Sequence, residues 1–311
     1  MTRKSSFPWA PTSMPFIRDH WIHAEFDRRV TEDREEAARL RNNGQPRAAA
    51  RLDVDIAGDV HARTQLAQAN LYWVTRDMVD YALAAAKTLP EWTPRAAMPS
   101  SSGLLCWAKP AAGFAMQWGA ETPVERVPAD AMAWYFLQDG TLQILGASRA
   151  DRSEASRRQL RVDTPFVIGN GGSIDADLPL AIDIIDERNV PAVLLLGAAW
   201  LLMAQTTVST NRRIPPPEPP GAGNRSFRDA PPEHSAVSLI DLRRLAAGPA
   251  EHVSGNGRSR TYTHQWWVDG HWRQQACGPG RSYRKPVWIA PHIKGPEGTP
   301  LANERVHVLR R

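Results

Sequence analysis

Between Arg18 and Arg41 the apolar positions recur at helical spacing, and Asn42-Asn43-Gly44 supplies a stop. Acidic and basic residues alternate in sign along that stretch, the pattern of a solvated helix face. Leu66, Trp73, Val79 and Leu83 keep near-helical spacing and predict a second helix from about Asp59 to Lys87, with Pro90 just beyond it. The period then shortens. Gly103 to Trp107 predicts a short strand, and Ala131–Leu137 and Thr141–Ala147 flank Gln138-Asp139-Gly140 as a hairpin. Pro165-Phe166-Val167-Ile168 runs into Gly169-Asn170-Gly171-Gly172, which reads as a glycine turn. A helical stretch is expected near Leu178–Arg188. Val190 to Ala204, VPAVLLLGAAWLLMA, is apolar on every side but shorter than the roughly 20 residues of a membrane helix. With Asn189 as cap and Pro191 in the first turn, it predicts a buried core helix.

These elements imply an α+β fold with helices around a modest antiparallel sheet. The organisation they predict is an irregular N-terminus (1–16), an α+β domain (17–210), a Pro/Gly-rich linker (211–257) with a strand at 237–242, and a small antiparallel β-module (258–311). In the module, Tyr262–Val268 and His271–Cys277 flank Asp269-Gly270, a strong short-range hairpin signal because a type I′ turn needs positive φ at both positions. A two-residue loop would pair Val268 with His271, Trp267 with Trp272 and Trp266 with Arg273. That register sends Tyr262, His264, Trp266, His271, Arg273 and Gln275 to one face. Trp267 and Trp272 go to the other, as core. Gly278-Pro279-Gly280-Arg281 predicts a turn, Arg284–Ala290 a third strand, Pro291–Pro296 a rigid loop and Arg305–Leu309 a last strand.

Charge changes the picture of this module. Of the chain's net +5, residues 258–311 carry ten Lys/Arg against three acids, +7, which leaves −2 on residues 1–257. A basic, aromatic β-module points to a polyanion. Tyr262, His264, Trp266 and Arg273 would stack on bases and grip the backbone, and Arg281, Arg284, Lys285 and Lys294 would hold phosphates. RNA is favoured over DNA as the partner, a protein partner is the other candidate, and no membrane is implied.

Candidate chemistry adds little. Metal-free RNA cleavage needs a base, an acid and a cation, which His271, Arg273, His292 and Lys294 could supply. His20 and His23 lie one helical turn apart without an identifiable third metal ligand. Asp183, Asp186 and Glu187 end an apolar run, as metal-binding acids sometimes do. Phosphate-loop, dinucleotide, GxSxG, HExxH and CxxC motifs are absent, so no metal and no cofactor is expected. Cys106 and Cys277 are too few for a disulfide framework, and the first residues, MTRKSSFPWAP, lack an apolar signal core. Both fit a cytoplasmic location.

The strings His271-Trp272-Arg273, Gly278-Pro279-Gly280-Arg281-Ser282 and Trp288-Ile289-Ala290-Pro291-His292-Ile293-Lys294-Gly295-Pro296-Glu297-Gly298 resemble the C-terminus of uncharacterised proteins of actinobacteria and their phages. The resemblance covers about the last 60 residues. It implies a bacterial or phage cytosol and assigns no catalytic residue. The leading reading is a nucleic-acid-binding protein. The alternatives are a metal-independent ribonuclease of toxin type on the same surface, and a protein-interaction scaffold whose PPPEPP segment docks as polyproline II.

Overall fold

The computed structural model describes residues 8–116, 124–149, 152, 166–180, 190–215, 235–243, 263–296 and 298–300. The fold is α+β and divides into two units, Met1–Leu242 and Arg243–Arg311.

The first unit opens with one long helical passage. Helix α1 (Met14–Ile22) runs through a π-helical turn, His23–Asp27, into α2 (Arg28–Asn42). Gly44, at φ +71°, ends it, and α3 (Pro46–Ala67) returns with proline in its first turn. Met14, Ile17, Trp21 and Phe26 form the buried stripe of this passage. They pack with Leu66 on Leu71, Trp73, Leu104, Cys106 and Tyr135 in a single apolar cluster.

The sheet beneath has seven strands: β1 (Asn70–Val74), β2 (Gly103–Trp107), β5 (Ala131–Phe136), β6 (Leu142–Arg149), β7 (Phe166–Ile174), β8 (Ser209–Ile214) and β9 (Val237–Leu242). Strands β3 (Gly113–Met116) and β4 (Glu125–Pro128) form a separate small ladder. The order is β7-β6-β5-β2-β1-β9-β8. β1 runs parallel to both β2 and β9, and the other neighbours are antiparallel.

A crossover through α4 (Arg76–Ala86) and the short α5 (Pro94–Ala97) joins β1 to β2. Parallel neighbours require such a crossover. Side chains alternate along β1, so Tyr72 points away from Trp73. There Tyr72 stacks on Trp134 at 5.7 Å, Trp134 meets Trp200 at 4.9 Å, and Trp200 meets Trp92 at 5.8 Å. Trp200 belongs to α6 (Val190–Met203), which is buried from Leu195 to Leu202, as its uniform apolarity predicts. Among the described residues no helix is long and apolar enough to cross a membrane.

The structure corrects four expectations. Residues 59–87 are not one helix: α3 ends at Ala67, and Leu71, Tyr72, Trp73 and Val74 form a buried central strand before α4. The aromatic and β-branched content of that run fits a strand covered on both faces, and tertiary burial overrides the near-helical spacing. The sheet is mixed rather than antiparallel, because of the crossover. Gly169–Gly172 lies within β7 instead of a turn: a Cβ on Gly171 would sit 2.2 Å from Leu145 Cδ2, so glycine there allows close strand approach. Finally, 211–214 is not linker but part of strand β8, which pairs along its length with β9, the strand expected at 237–242. The helix expected to Arg188 and the acids Asp183, Asp186 and Glu187 lie outside the described residues, apart from 178–180, which are not helical.

Candidate functional site

The second unit is built from two short ladders. Strand β10 (Trp266–Val268) pairs antiparallel with β13 (His292–Lys294), and β11 (His271–Cys277) pairs antiparallel with β12 (Tyr283–Ile289). The expected Asp269-Gly270 hairpin is not formed. Neither residue has positive φ, so the type I′ turn is absent, and the chain passes there from one ladder to the other. Gly270 serves a different purpose. A Cβ on it would meet Trp288 Cζ2 at 2.4 Å and Pro291 Cδ at 3.0 Å, so the indole of Trp288 lies against bare backbone.

The real hairpin joins β11 to β12 through residues 278–282, with Gly278, Gly280 and Arg281 at φ 77°, 60° and 58°. Arg281 is the one non-glycine residue in the left-handed region among the described residues. Backbone hydrogen bonds from Arg281 to Gly278 and from Ser282 to Pro279 close the turn.

This register redistributes the aromatic residues. Trp272 faces Trp288 across the ladder, with ring centroids 5.2 Å apart, and Trp288 is buried. The expected Trp267–Trp272 pair does not exist. Trp267 instead faces Ile293, and both are exposed, 47% and 52%. Trp266 pairs with Lys294, is half-buried, and has the His264 ring at 6.2 Å. The expected exposures of Trp266 and Trp267 are therefore exchanged. Alternation dictates that the two point oppositely. Which of them is covered depends on the partner strand.

Alternation along β11 does sort His271, Arg273 and Gln275 onto one face, all exposed. Lys285, also exposed, is the register partner of Gln275 on that face. Arg284, opposite Ala276, belongs to the tryptophan side of the ladder and is itself exposed. Arg273 Nη2 donates to Gln275 Oε1 at 2.5 Å, which orients the guanidinium along the strand. Thus Arg273, Lys285 and His271 share the β11–β12 ladder, whereas Trp266 and Lys294 share the β10–β13 ladder, with His264 beside Trp266. Tyr262 and the strand expected at 305–309 lie outside the described residues.

Of the four catalytic candidates, the two histidines have matching local geometry. His271 Nδ1 lies 3.0 Å from the Asp269 carbonyl, and His292 Nδ1 lies 3.0 Å from the Ala290 carbonyl. A carbonyl only accepts, so each Nδ1 carries a proton. They occupy different ladders, His271 opposite Ile289 and His292 opposite Val268. The two rings make the same Nδ1 contact, each on its own ladder.

Outside this unit the polar clusters serve the fold. Arg29 bridges both oxygens of Asp59 at 2.5 Å and Glu25 at 2.9 Å, clamping the π turn and α2 to α3. Burial raises the Glu25 carboxyl despite Arg29, and burial with the Glu25 charge pushes the Tyr135 hydroxyl up to about 12. Asp130, buried before β5, accepts from the Arg149 N–H at 2.9 Å and from Arg152 at 3.3 Å. Burial still raises its carboxyl above the usual range. His23 is exposed and 3.7 Å from Asp27, and His20 is lowered by burial and then by His23. Among the described residues no three His, Cys, Asp or Glu side chains are grouped to hold a metal.

No family model and no curated protein matches this chain. Among solved structures it is similar to the one titled "Crystal structure of AcrVA2", with 12% identity, a TM-score of 0.39, and coverage of 91% of this chain and 94% of that chain. A likeness of that degree carries no argument about what this chain does.

Proposed function

We propose that this protein binds nucleic acid, RNA before DNA, through the basic face of its Arg243–Arg311 unit. The observation that carries the reading is the division of labour in the β11–β12 ladder. Trp272 and Trp288 take one side as a packed pair, while His271, Arg273, Gln275 and Lys285 stand exposed on the other. Hydrogen-bonding groups and an oriented guanidinium on an open strand face suit phosphate and base-edge contacts.

Charge supports the same reading. The unit holds twelve Lys/Arg against four acids, net +8, which leaves −3 of the total +5 on the first unit. Such asymmetry draws a polyanion to one part of the molecule. Arg273 and Lys285 hold phosphates in this scheme, helped by Arg281 in the adjoining turn; Arg284, on the tryptophan side, and Lys294, in the β10–β13 ladder, add charge from outside this face. The resemblance of the C-terminal segment to actinobacterial and actinophage proteins supports a bacterial or phage cytosol as the setting.

Equilibrium binding of labelled single-stranded RNA and DNA at about 50 and 200 mM salt tests this. Affinity should fall steeply with salt. The double variant Arg273→Ala, Lys285→Ala should bind more weakly, with a log–log salt slope shallower by about 1.4 for two lost contacts on a single strand. Unchanged affinity of that variant at low salt would overturn the assignment.

A further inference from the structure

We infer that the ligand is taken as an unpaired strand, and that Trp267 is the ring on which one of its bases stacks. This rests on the nucleic-acid reading above and narrows it to a substrate class. Of the four tryptophans in the described part of the second unit, three are engaged: Trp272 and Trp288 with each other, and Trp266 beside His264. Trp267 has no ring neighbour among the described residues and is 47% exposed.

Its orientation is nevertheless fixed. The indole Nε1 donates to Asp269 Oδ1 at 3.0 Å, which ties the edge of the ring while nearly half of the residue stays exposed. A ring held in place before binding loses less entropy when a base settles on it. Across the ladder Ile293, 52% exposed, widens the apolar surface. These two are the exposed large hydrophobic residues of this unit among those described.

The occupant follows from what surrounds the pair. An apolar protein surface would need a broad dry patch, whereas here one indole and one isoleucine sit in a unit of net +8. A base with its phosphates matches both components, an aromatic face and cations. Arg273 lies six residues on, at most about 20 Å along an extended chain, within the reach of a few nucleotides. Duplex bases are stacked on each other and offer no free face, so the arrangement selects unpaired strands.

The test uses the full chain with a fluorescent single-stranded RNA of about 12 nucleotides, and a duplex of the same length. The single strand should bind more tightly than the duplex. Trp267→Ala should weaken single-strand binding about tenfold to hundredfold, the range for one stacked base, while Trp267→Phe keeps most of it. Quenching of tryptophan emission on RNA addition should shrink in Trp267→Phe. Equal binding by Trp267→Ala, or a duplex bound as tightly as the single strand, overturns the inference. If Trp267→Ala binds normally while the Arg273→Ala, Lys285→Ala variant does not, stacking falls and the binding surface stands. If the unaltered protein binds neither RNA at low salt, both fall.

Discussion

In the first unit Trp21, Trp107, Trp134 and Trp200 are fully enclosed, whereas in the second Trp288 is buried, Trp272 is half-buried and Trp267 is open to solvent. For the two on strands, Trp107 and Trp134, the difference follows from the number of neighbours a strand has. Inside a seven-stranded sheet with helices packed on it, a large ring is covered from both flanks and above. In a ladder of two strands there is one flank only, and one ring of a pair can hide only by lying on something else. Trp288 does so by lying on the backbone of Gly270. The same residue type thus makes core in one unit and accessible surface in the other, and chemistry is to be sought where coverage fails.

Substitutions separate these uses. Trp134→Ala should be the costliest, about 3–5 kcal/mol by denaturant unfolding, because it empties the site shared with Tyr72 and Trp200 and strands the Ser100 carbonyl that accepts from the Trp134 indole. Gly270→Val should come next, about 1–3 kcal/mol, by driving a side chain into Trp288. Faster amide exchange in β11 and β12, with β1 and β2 unaffected, would show that the damage stays in the second unit.

Asp130→Asn is expected to change a pH dependence more than a midpoint. Burial raises the native carboxyl, so the folded state holds its proton more tightly than the unfolded chain does. That contribution is complete below the ordinary aspartate range and is lost as pH rises through the raised native value. The asparagine variant should therefore lose less stability over that interval, as thermal melts across mildly acidic pH would register. Trp267→Ala should have the smallest effect on stability, within about 0.5 kcal/mol, because the ring is half outside the fold. A cost near that of Trp134→Ala would erase the contrast between the units.

Local physics made much of the first unit legible. The helical pattern from Arg18 to Arg41, the uniformly apolar α6 and the hairpin around Gln138-Asp139-Gly140 are each a property of their own residues, although the helix begins at Met14, inside the stretch expected to be irregular. Gly140 at φ 86° and the Asp139 carboxylate accepting from Thr141 are what that turn chemistry demands. The proline-rich run shows the limit. Its composition identified an irregular stretch with a strand at 237–242, but not that Ser209–Ile214 is a strand or that it pairs with Val237–Leu242 at one edge of a sheet.

The candidate site shows the same limit at higher stakes. Asp269-Gly270 has the composition of a hairpin turn, yet β11 pairs with β12, where Gly278, Gly280 and Arg281 accept positive φ and Trp272 meets Trp288. The local signal ranks the Asp269-Gly270 turn first and is overridden, because in the register that forms Trp272 has Trp288 as its partner.

By itself, then, the sequence determined that the C-terminal unit is basic, aromatic and β-structured, and that Trp266 and Trp267 point in opposite directions. Charge and strand period are carried by the residues themselves. Only the tertiary structure decided that Trp267 is the open ring and that Arg273 and Lys285 share a face. Exposure belongs to a pairing of strands, and pairing is settled by packing between residues distant in the chain.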